Sequence, residues 1–175
     1  MYKIGEMKYI FFYQFNFSVA QLKGKKFEIG IIEEDKMILS VFFGSWYPVQ
    51  KDIVRKETLT IKTAANQLDQ YFTGKRKQFS LPLVLKGTEF QKAVWEALQA
   101  IPYGETRSYS DIAVAVGSPK AVRAVGMANH NNPIAIIVPC HRVIGKNGSL
   151  TGYASGLQNK KLLLELEQTC RSFLQ

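Results

Sequence analysis

Two cysteines and two histidines are all that this 175-residue chain contains, and one of each stands side by side in VPCHRVIGKNG, Val138 to Gly148. A thiolate is a strong, soft nucleophile, and its fraction at neutral pH depends on nearby positive charge or a base. His141, Arg142 and Lys146 offer both close to Cys140. The competing assignment is a small buried hydrophobe, since free cysteine is among the most buried residue types. Position weakens that alternative: the chain turns polar and basic directly after an apolar run, where loops carry function. Adjacent side chains of an extended segment point to opposite faces, so Cys140 and His141 would meet only through a water or a bend after Pro139. His141 would also need an acceptor on its other ring nitrogen. Glu165 and Glu167 are both available, and spacing does not choose between them.

The elements that must position this pair fall into two parts of different period. Tyr13, Phe15, Phe17 and Val19 alternate with Gln14, Asn16, Ser18 and Ala20, as in a half-buried strand. The polar turns KGKK (Lys23 to Lys26) and EEDK (Glu33 to Lys36) lead into FEIGII and MILSVFF, which completes an antiparallel meander. A helix is expected from about Thr58 to Phe72 with Gly74 as its stop, and Lys75 to Gly87 reads as a linker.

Beyond it the period becomes helical. Thr88 and Gln91 form a capping box ahead of Phe90, Val94, Ala97 and Leu98, and IPYGE ends that helix. Ser108 and Asp111 open a second, short helix, which Gly117 closes. Ser118 then caps a third helix with Pro119 at its first position, ending near Asn129. Two helices joined by Gly-Ser are either a DNA-binding helix-turn-helix or a plain packing unit. IAIIV (Ile134 to Val138) suits a buried strand that delivers Cys140. GKNG is a turn, TGYASG a flexible loop, and a last helix runs from about Leu157 to Thr169.

Composition narrows the possibilities. Two distant cysteines make no disulfide framework, so a reducing compartment is expected. With no cysteine before Cys140 and no histidine before His130, a zinc site of soft ligands in the first half is excluded. The uncharged run from Tyr9 to Leu22 is too short and too polar to span a bilayer, so neither membrane nor export is expected. The net charge of +9 fits a polyanionic partner or a general solubility surplus. Between Arg107 and Lys160 only Asp111 is acidic, so the basic field and the cysteine coincide. Nucleic acid is the leading partner, with acidic small molecules behind it.

PCHRVIGKNGSLTGYASGL (Pro139 to Leu157) resembles the signature of the O6-alkylguanine-DNA alkyltransferases, and YGETRSYSDIA, RAVGMAN and NNP match in order and spacing. The resemblance implies an α+β chain. Residues 1–85 would form a small antiparallel sheet with a helix, in a ribonuclease H-like layout. Residues 86–175 would form a mostly helical DNA-binding and alkyl-transfer domain containing a helix-turn-helix.

By the same resemblance Cys140 takes the alkyl group from O6 of guanine, with O4-alkylthymine as a further candidate substrate. His141 acts as base through a water, Glu167 holds His141, Asn132 joins the network, and Tyr109 assists the leaving guanine. Val143, Tyr153, Ala154 and Ser155 would line the pocket, Ser155 standing where a second glycine is common. Arg123 would fill the stack after the base is flipped out through the minor groove. Ala121, Ala124 and Gly126 would allow close approach, and Ser110, Ser118 and Lys146 would meet phosphates. A thioether product cannot be hydrolysed like a thioester, so one turnover per molecule is expected, with no cofactor and no metal. A monomer acting on double-stranded DNA is implied, in the cytoplasm or, in a eukaryote, the nucleus. Two other readings compete: a helix-turn-helix or lesion-sensing module without transfer chemistry, and a cysteine hydrolase. The hydrolase is disfavoured by the Cys-His adjacency, and the module leaves PCHRV without a role.

Overall fold

The computed structural model describes residues 7–18, 22–45 and 52–172. The chain divides into two compact units, Met1–Leu85 and Lys86–Gln175. In the first, β1 (Lys8–Asn16), β2 (Lys26–Glu34) and β3 (Met37–Phe43) form the expected antiparallel meander. The first strand starts earlier than its alternation indicated, and Val19 and Ala20 lie outside the described residues. A fourth strand, β4 (Ile53–Arg55), pairs parallel with β1 and gives the order β3-β2-β1-β4. Three residues are too few to show a period, so this strand is not visible in the sequence.

One helix, α1 (Leu59–Phe72), covers the sheet. Thr58 caps it by accepting from the Ile61 N–H, and Gly74 follows its end at φ 75°. Its buried face carries Ile61, Ala64, Ala65, Leu68, Tyr71 and Phe72. The Phe72 ring lies 5.2–5.5 Å from those of Phe15 on β1, Phe17 just after it and Phe27 on β2, so two strands converge on one side chain. Residues 75–87 are not a free linker. The Gln67 side chain exchanges hydrogen bonds with the Ser80 backbone, and Ile38 bonds to the Pro82 carbonyl and the Val84 N–H. Pro82 has no N–H to give, but its carbonyl still extends the edge of β3.

The second unit is built on α2 (Glu89–Gln99), α3 (Tyr109–Ala115), α4 (Val122–His130) and α5 (Leu157–Ser172). Both capping boxes are made, Thr88 with Gln91 and Ser108 with Asp111. The start of α4 differs from expectation. Ser118 and Pro119 lie in a turn closed by the Ala121 N–H on the Ser118 carbonyl, and Ala121 occupies the cap without a side-chain bond. Trp95 Nε1 donates to the Ala128 carbonyl at 2.8 Å and locks α2 to α4. Two short strands, β5 (Arg107–Ser108) and β6 (Val143–Ile144), pair in parallel and bring the start of α3 beside the segment after Cys140.

Phe72→Ala removes the ring on which these two strands converge. It is expected to lower unfolding free energy by about 3–5 kcal/mol. Urea denaturation checks this, and a loss under about 1 kcal/mol would show that the site collapses freely.

Candidate active site

The cysteine is delivered by a buried turn and not by the expected strand. Ile134 to Val138 are all buried. The Ile137 N–H bonds to the Ala135 carbonyl and the Val138 N–H to the Ile134 carbonyl, so the run folds back on itself. Ile136 is thereby held at φ 71°, a conformation that costs a β-branched residue about 1–3 kcal/mol. An apolar run signals burial, not path, and no neighbouring strand is present to pair with this one. Pro139, at φ −82° and ψ 62°, makes a second tight turn closed by the Cys140 N–H on the Val138 carbonyl. Cys140–Arg142 then form one turn of 3-10 helix. The extended geometry expected for Cys140 and His141 is therefore replaced by the bend.

Cys140 is 5% exposed. Asn132 Nδ2 lies 3.0 Å from its Sγ and 2.8 Å from the Val138 carbonyl, while Asn132 Oδ1 accepts from the Ile134 N–H. One amide thus fixes both the turn and the sulfur. Burial pushes the thiol up to about 11, against the opposing effects of the Asn132 hydrogen bond, the Lys160 charge and the backbone N–H groups of Cys140 and His141. Cys140 therefore rests as a thiol and needs a base.

His141, fully buried, places Nε2 2.8 Å from Glu167 Oε1. An ionised carboxylate can only accept, so the ring proton sits on Nε2 and Nδ1 carries the basic lone pair. Burial lowers the imidazole, Glu167 opposes that, and the Arg142 and Lys160 charges add to it. Burial would raise the Glu167 carboxyl. The His141 ring and the Arg142 guanidinium outweigh it and hold the group well below the ordinary carboxylate range. Glu165, the other candidate, instead faces Lys161 across an exposed i,i+4 pair.

Tyr109 donates its hydroxyl to the Thr151 and Gly152 carbonyls at 3.0 and 3.2 Å. Burial raises its phenol, so it stays protonated and able to donate. Burial likewise raises the Tyr153 hydroxyl, and the Cys140 sulfur near it adds to that. Val143 is buried beside them. Ala154 is exposed and Ser155 half-buried, its carbonyl accepting from Asn159 at the start of α5.

The expected DNA-contacting residues are spread along one helix and its flanks. Arg123 and Ala124 are exposed on α4, and a Cβ added to Gly126 would lie 4.0 Å from the Tyr109 ring. Ala121, Ser118 and Ser110 are half-buried near the starts of α4 and α3, and Lys146 is exposed.

Several contacts of the site have no counterpart in the sequence reading, which took Arg142 only as a charge near Cys140. Arg142 bonds Glu167 through Nε and Nη2. The Gly104 N–H donates to Glu167 Oε2 at 2.9 Å, and Asn129 Nδ2 donates to the Cys140 carbonyl. Gly104 sits at φ 74°, a left-handed backbone conformation that favours glycine. Lys160 is fully buried and donates to the Val143 and Thr151 carbonyls; burial brings it down to about 8, opposed by Cys140. A signal for it existed: Lys160, Leu163 and Glu167 share one helical face at spacing i, i+3, i+7, so two charges stand in an apolar stripe.

The fold and this site place a buried cysteine beside a buried histidine–glutamate pair, on a helical unit whose α4 exposes Arg123. Residues 89–169 match the 6-O-methylguanine DNA methyltransferase DNA binding domain, and residues 27–85 match the ribonuclease-like domain of the same family. The constitutive methylated-DNA–protein-cysteine methyltransferase of Bacillus subtilis (strain 168) is 54% identical over 147 residues, 81% of this chain and 89% of that protein. The methylated-DNA–protein-cysteine methyltransferase of Methanosarcina acetivorans is 63% identical over 109 residues, 62% of this chain and 70% of that protein. The crystal structure of Mycobacterium tuberculosis OGT in complex with DNA superposes with a TM-score of 0.77 at 44% identity, covering 82% of this chain and 88% of that one. The chain belongs to the 6-O-methylguanine DNA methyltransferase family. Among the described residues no helix is long and apolar enough to cross a membrane.

In a Cys170→Ser background, alkylation of Cys140 by iodoacetamide is expected to be slow near neutrality and to rise about tenfold per pH unit towards pH 11, because only the thiolate reacts. Asn132→Ala should slow it further. A rate that levels off below about pH 8 would contradict the buried, protonated resting thiol.

Proposed function

We propose that this chain is a DNA-repair protein that transfers the alkyl group of O6-alkylguanine in double-stranded DNA irreversibly to its own Cys140. The observation that carries this reading is the pairing of Asn132 on Cys140 Sγ with Glu167 on His141 Nε2. Together they hold a soft nucleophile beside an imidazole whose remaining lone pair takes a proton. His141 accepts the thiol proton, through a water if the two side chains do not meet. The sulfur attacks the sp³ carbon, and the C–O6 bond breaks with its electron pair going to guanine. The purine takes up a proton, with the Tyr109 hydroxyl, kept protonated by burial, turned to it as donor. The Tyr109 phenolate regains a proton from solvent and the His141 imidazolium gives one up to solvent, so the net change moves the thiol proton to guanine and leaves Cys140 as a thioether. Nothing in the site regenerates the thiol, so each molecule acts once and no cofactor is consumed.

The target base is reached by flipping it out of the duplex, at a cost of about a few kcal/mol. In the proposed complex α3 and α4 act as a helix-turn-helix, with α4 in the minor groove. Arg123, exposed at its start, fills the space the base leaves, while Ala124 and Gly126 allow close approach. Ala121, Ser110, Ser118 and Lys146 flank the same face. The flipped base enters beside Val143 by displacing the loop that carries Tyr153, Ala154 and Ser155. That displacement breaks the Tyr109 bonds to the Thr151 and Gly152 carbonyls and the Lys160 bond to the Thr151 carbonyl. The protein acts as a monomer in the cytoplasm, where it meets DNA.

Mixing the protein with duplex DNA containing O6-methylguanine should add the mass of one methyl group per chain, and Cys140→Ser should add none. Binding without a mass change would favour a lesion-sensing module, and repeated turnover on an ester a hydrolase. Arg123→Ala should slow transfer from the duplex by about tenfold or more while leaving reaction with free O6-benzylguanine within about twofold, since only the duplex demands flipping. Equal losses on both substrates would remove the stack-filling role.

A further inference from the structure

The carboxylate that bonds His141 is paired directly with a buried guanidinium, that of Arg142. Glu167 is fully buried and takes His141 and the Gly104 N–H on one side. Arg142 takes the rest of the carboxylate, with Nε 3.0 Å from Oε2 and Nη2 3.0 Å from Oε1. The guanidinium is itself held by two further partners. Nη1 donates to the Ile101 carbonyl at 2.7 Å, and the group lies 5.7 Å from the centre of the Tyr103 ring. At 6% exposure Arg142 has no other work on the surface.

A lone carboxylate at 2.8 Å would favour imidazolium, by about one to three pK units, and imidazolium cannot accept a proton. Among the other charged or titratable groups near His141, only Lys160 adds a positive charge, and it does not pair with Glu167. Lys160 on α5 acts from the Val143 and Thr151 carbonyls, on the Cys140 side. Tyr103 is neutral and packs against Arg142, Tyr109 and Tyr153 are neutral around Cys140, and Cys140 rests as a thiol. The side chains that α2 buries are Val94, Trp95 and Leu98, none of which titrates.

We propose that Arg142 is a positioning residue for alkyl transfer: its guanidinium balances the Glu167 charge, so that His141 holds its proton on Nε2 and accepts the Cys140 proton on Nδ1. This rests on His141 being the base of the reaction described above. A guanidinium suits the task because its planar fork meets both carboxylate oxygens and it never loses its charge.

The test is single-turnover methyl transfer from duplex DNA containing O6-methylguanine, followed from about pH 6 to 9, with the His141 ring titrated by carbon-13 NMR in the same proteins. In Arg142→Met the midpoints of both curves should rise by about one pH unit or more, with a rate loss of about tenfold at pH 7 that recovers by about pH 9. Arg142→Lys should restore the wild-type midpoint. Glu167→Gln, which leaves Arg142 as the uncompensated charge, should move the His141 midpoint the other way, so the inference remains testable if Arg142→Met does not fold. A loss in Arg142→Met that is the same at every pH, or an unmoved His141 midpoint in either variant, overturns the role. Wild type that transfers no methyl group would instead overturn the reaction itself.

Discussion

The second unit is organised around one buried carboxylate. Glu167 has no exposed surface, yet it accepts from His141, twice over from Arg142, and from the Gly104 backbone. A buried charge is tolerated only when paired and fully hydrogen-bonded, and stripping one partner from such a group costs about 3–5 kcal/mol. Those bonds therefore dictate where α5 docks, how the 101–104 turn closes and which way the His141 ring faces. Gln168 and Arg171, one and four residues further along α5, both donate to the Gly104 carbonyl and clamp the same turn.

That arrangement explains why a cysteine so well buried can still be a nucleophile. The thiol is inert at rest, since its environment pushes it up to about 11. In the proposed reaction, reactivity comes from an adjacent base whose tautomer is fixed in advance, and from Asn132, which holds the sulfur through the same amide that closes the preceding turn. A protein that acts once per molecule gains from such restraint, because adventitious electrophiles would otherwise consume it. The strained Ile136 turn belongs to the same economy: packing overdetermines a conformation that positions the residues after it.

How much of this was legible in the sequence depended on whether the cause was local. Helix starts at Thr88 and Ser108 were readable because a capping box is written in four consecutive residues. The meander followed from period-two runs and polar turns. Ser118-Pro119 carried an equally good local signature, yet it forms a turn and α4 begins three residues after the proline. IAIIV was correctly buried and wrongly extended, since apolarity reports depth and not direction. Cys140 and His141 were nameable from the residues alone, but Asn132 and Glu167 only with the family resemblance in hand, because spacing alone left Glu165 equal to Glu167. Arg142 was named only as a charge near Cys140, and its pairing with Glu167, like the roles of Lys160 and Gly104, was missed for one reason: long-range bonds bury charged groups and commit a turn glycine, and no short window contains both partners. The basic surplus around the site gave the right partner class without revealing that two of its cations are buried.

The most direct measurement is peptide mapping after reaction with duplex DNA carrying isotopically labelled O6-methylguanine. The label should appear as a thioether on the peptide containing Cys140, in one equivalent, with none on the peptide containing Cys170. Label on Cys170 or on His141, or none on the protein while the DNA is still bound, would contradict the account.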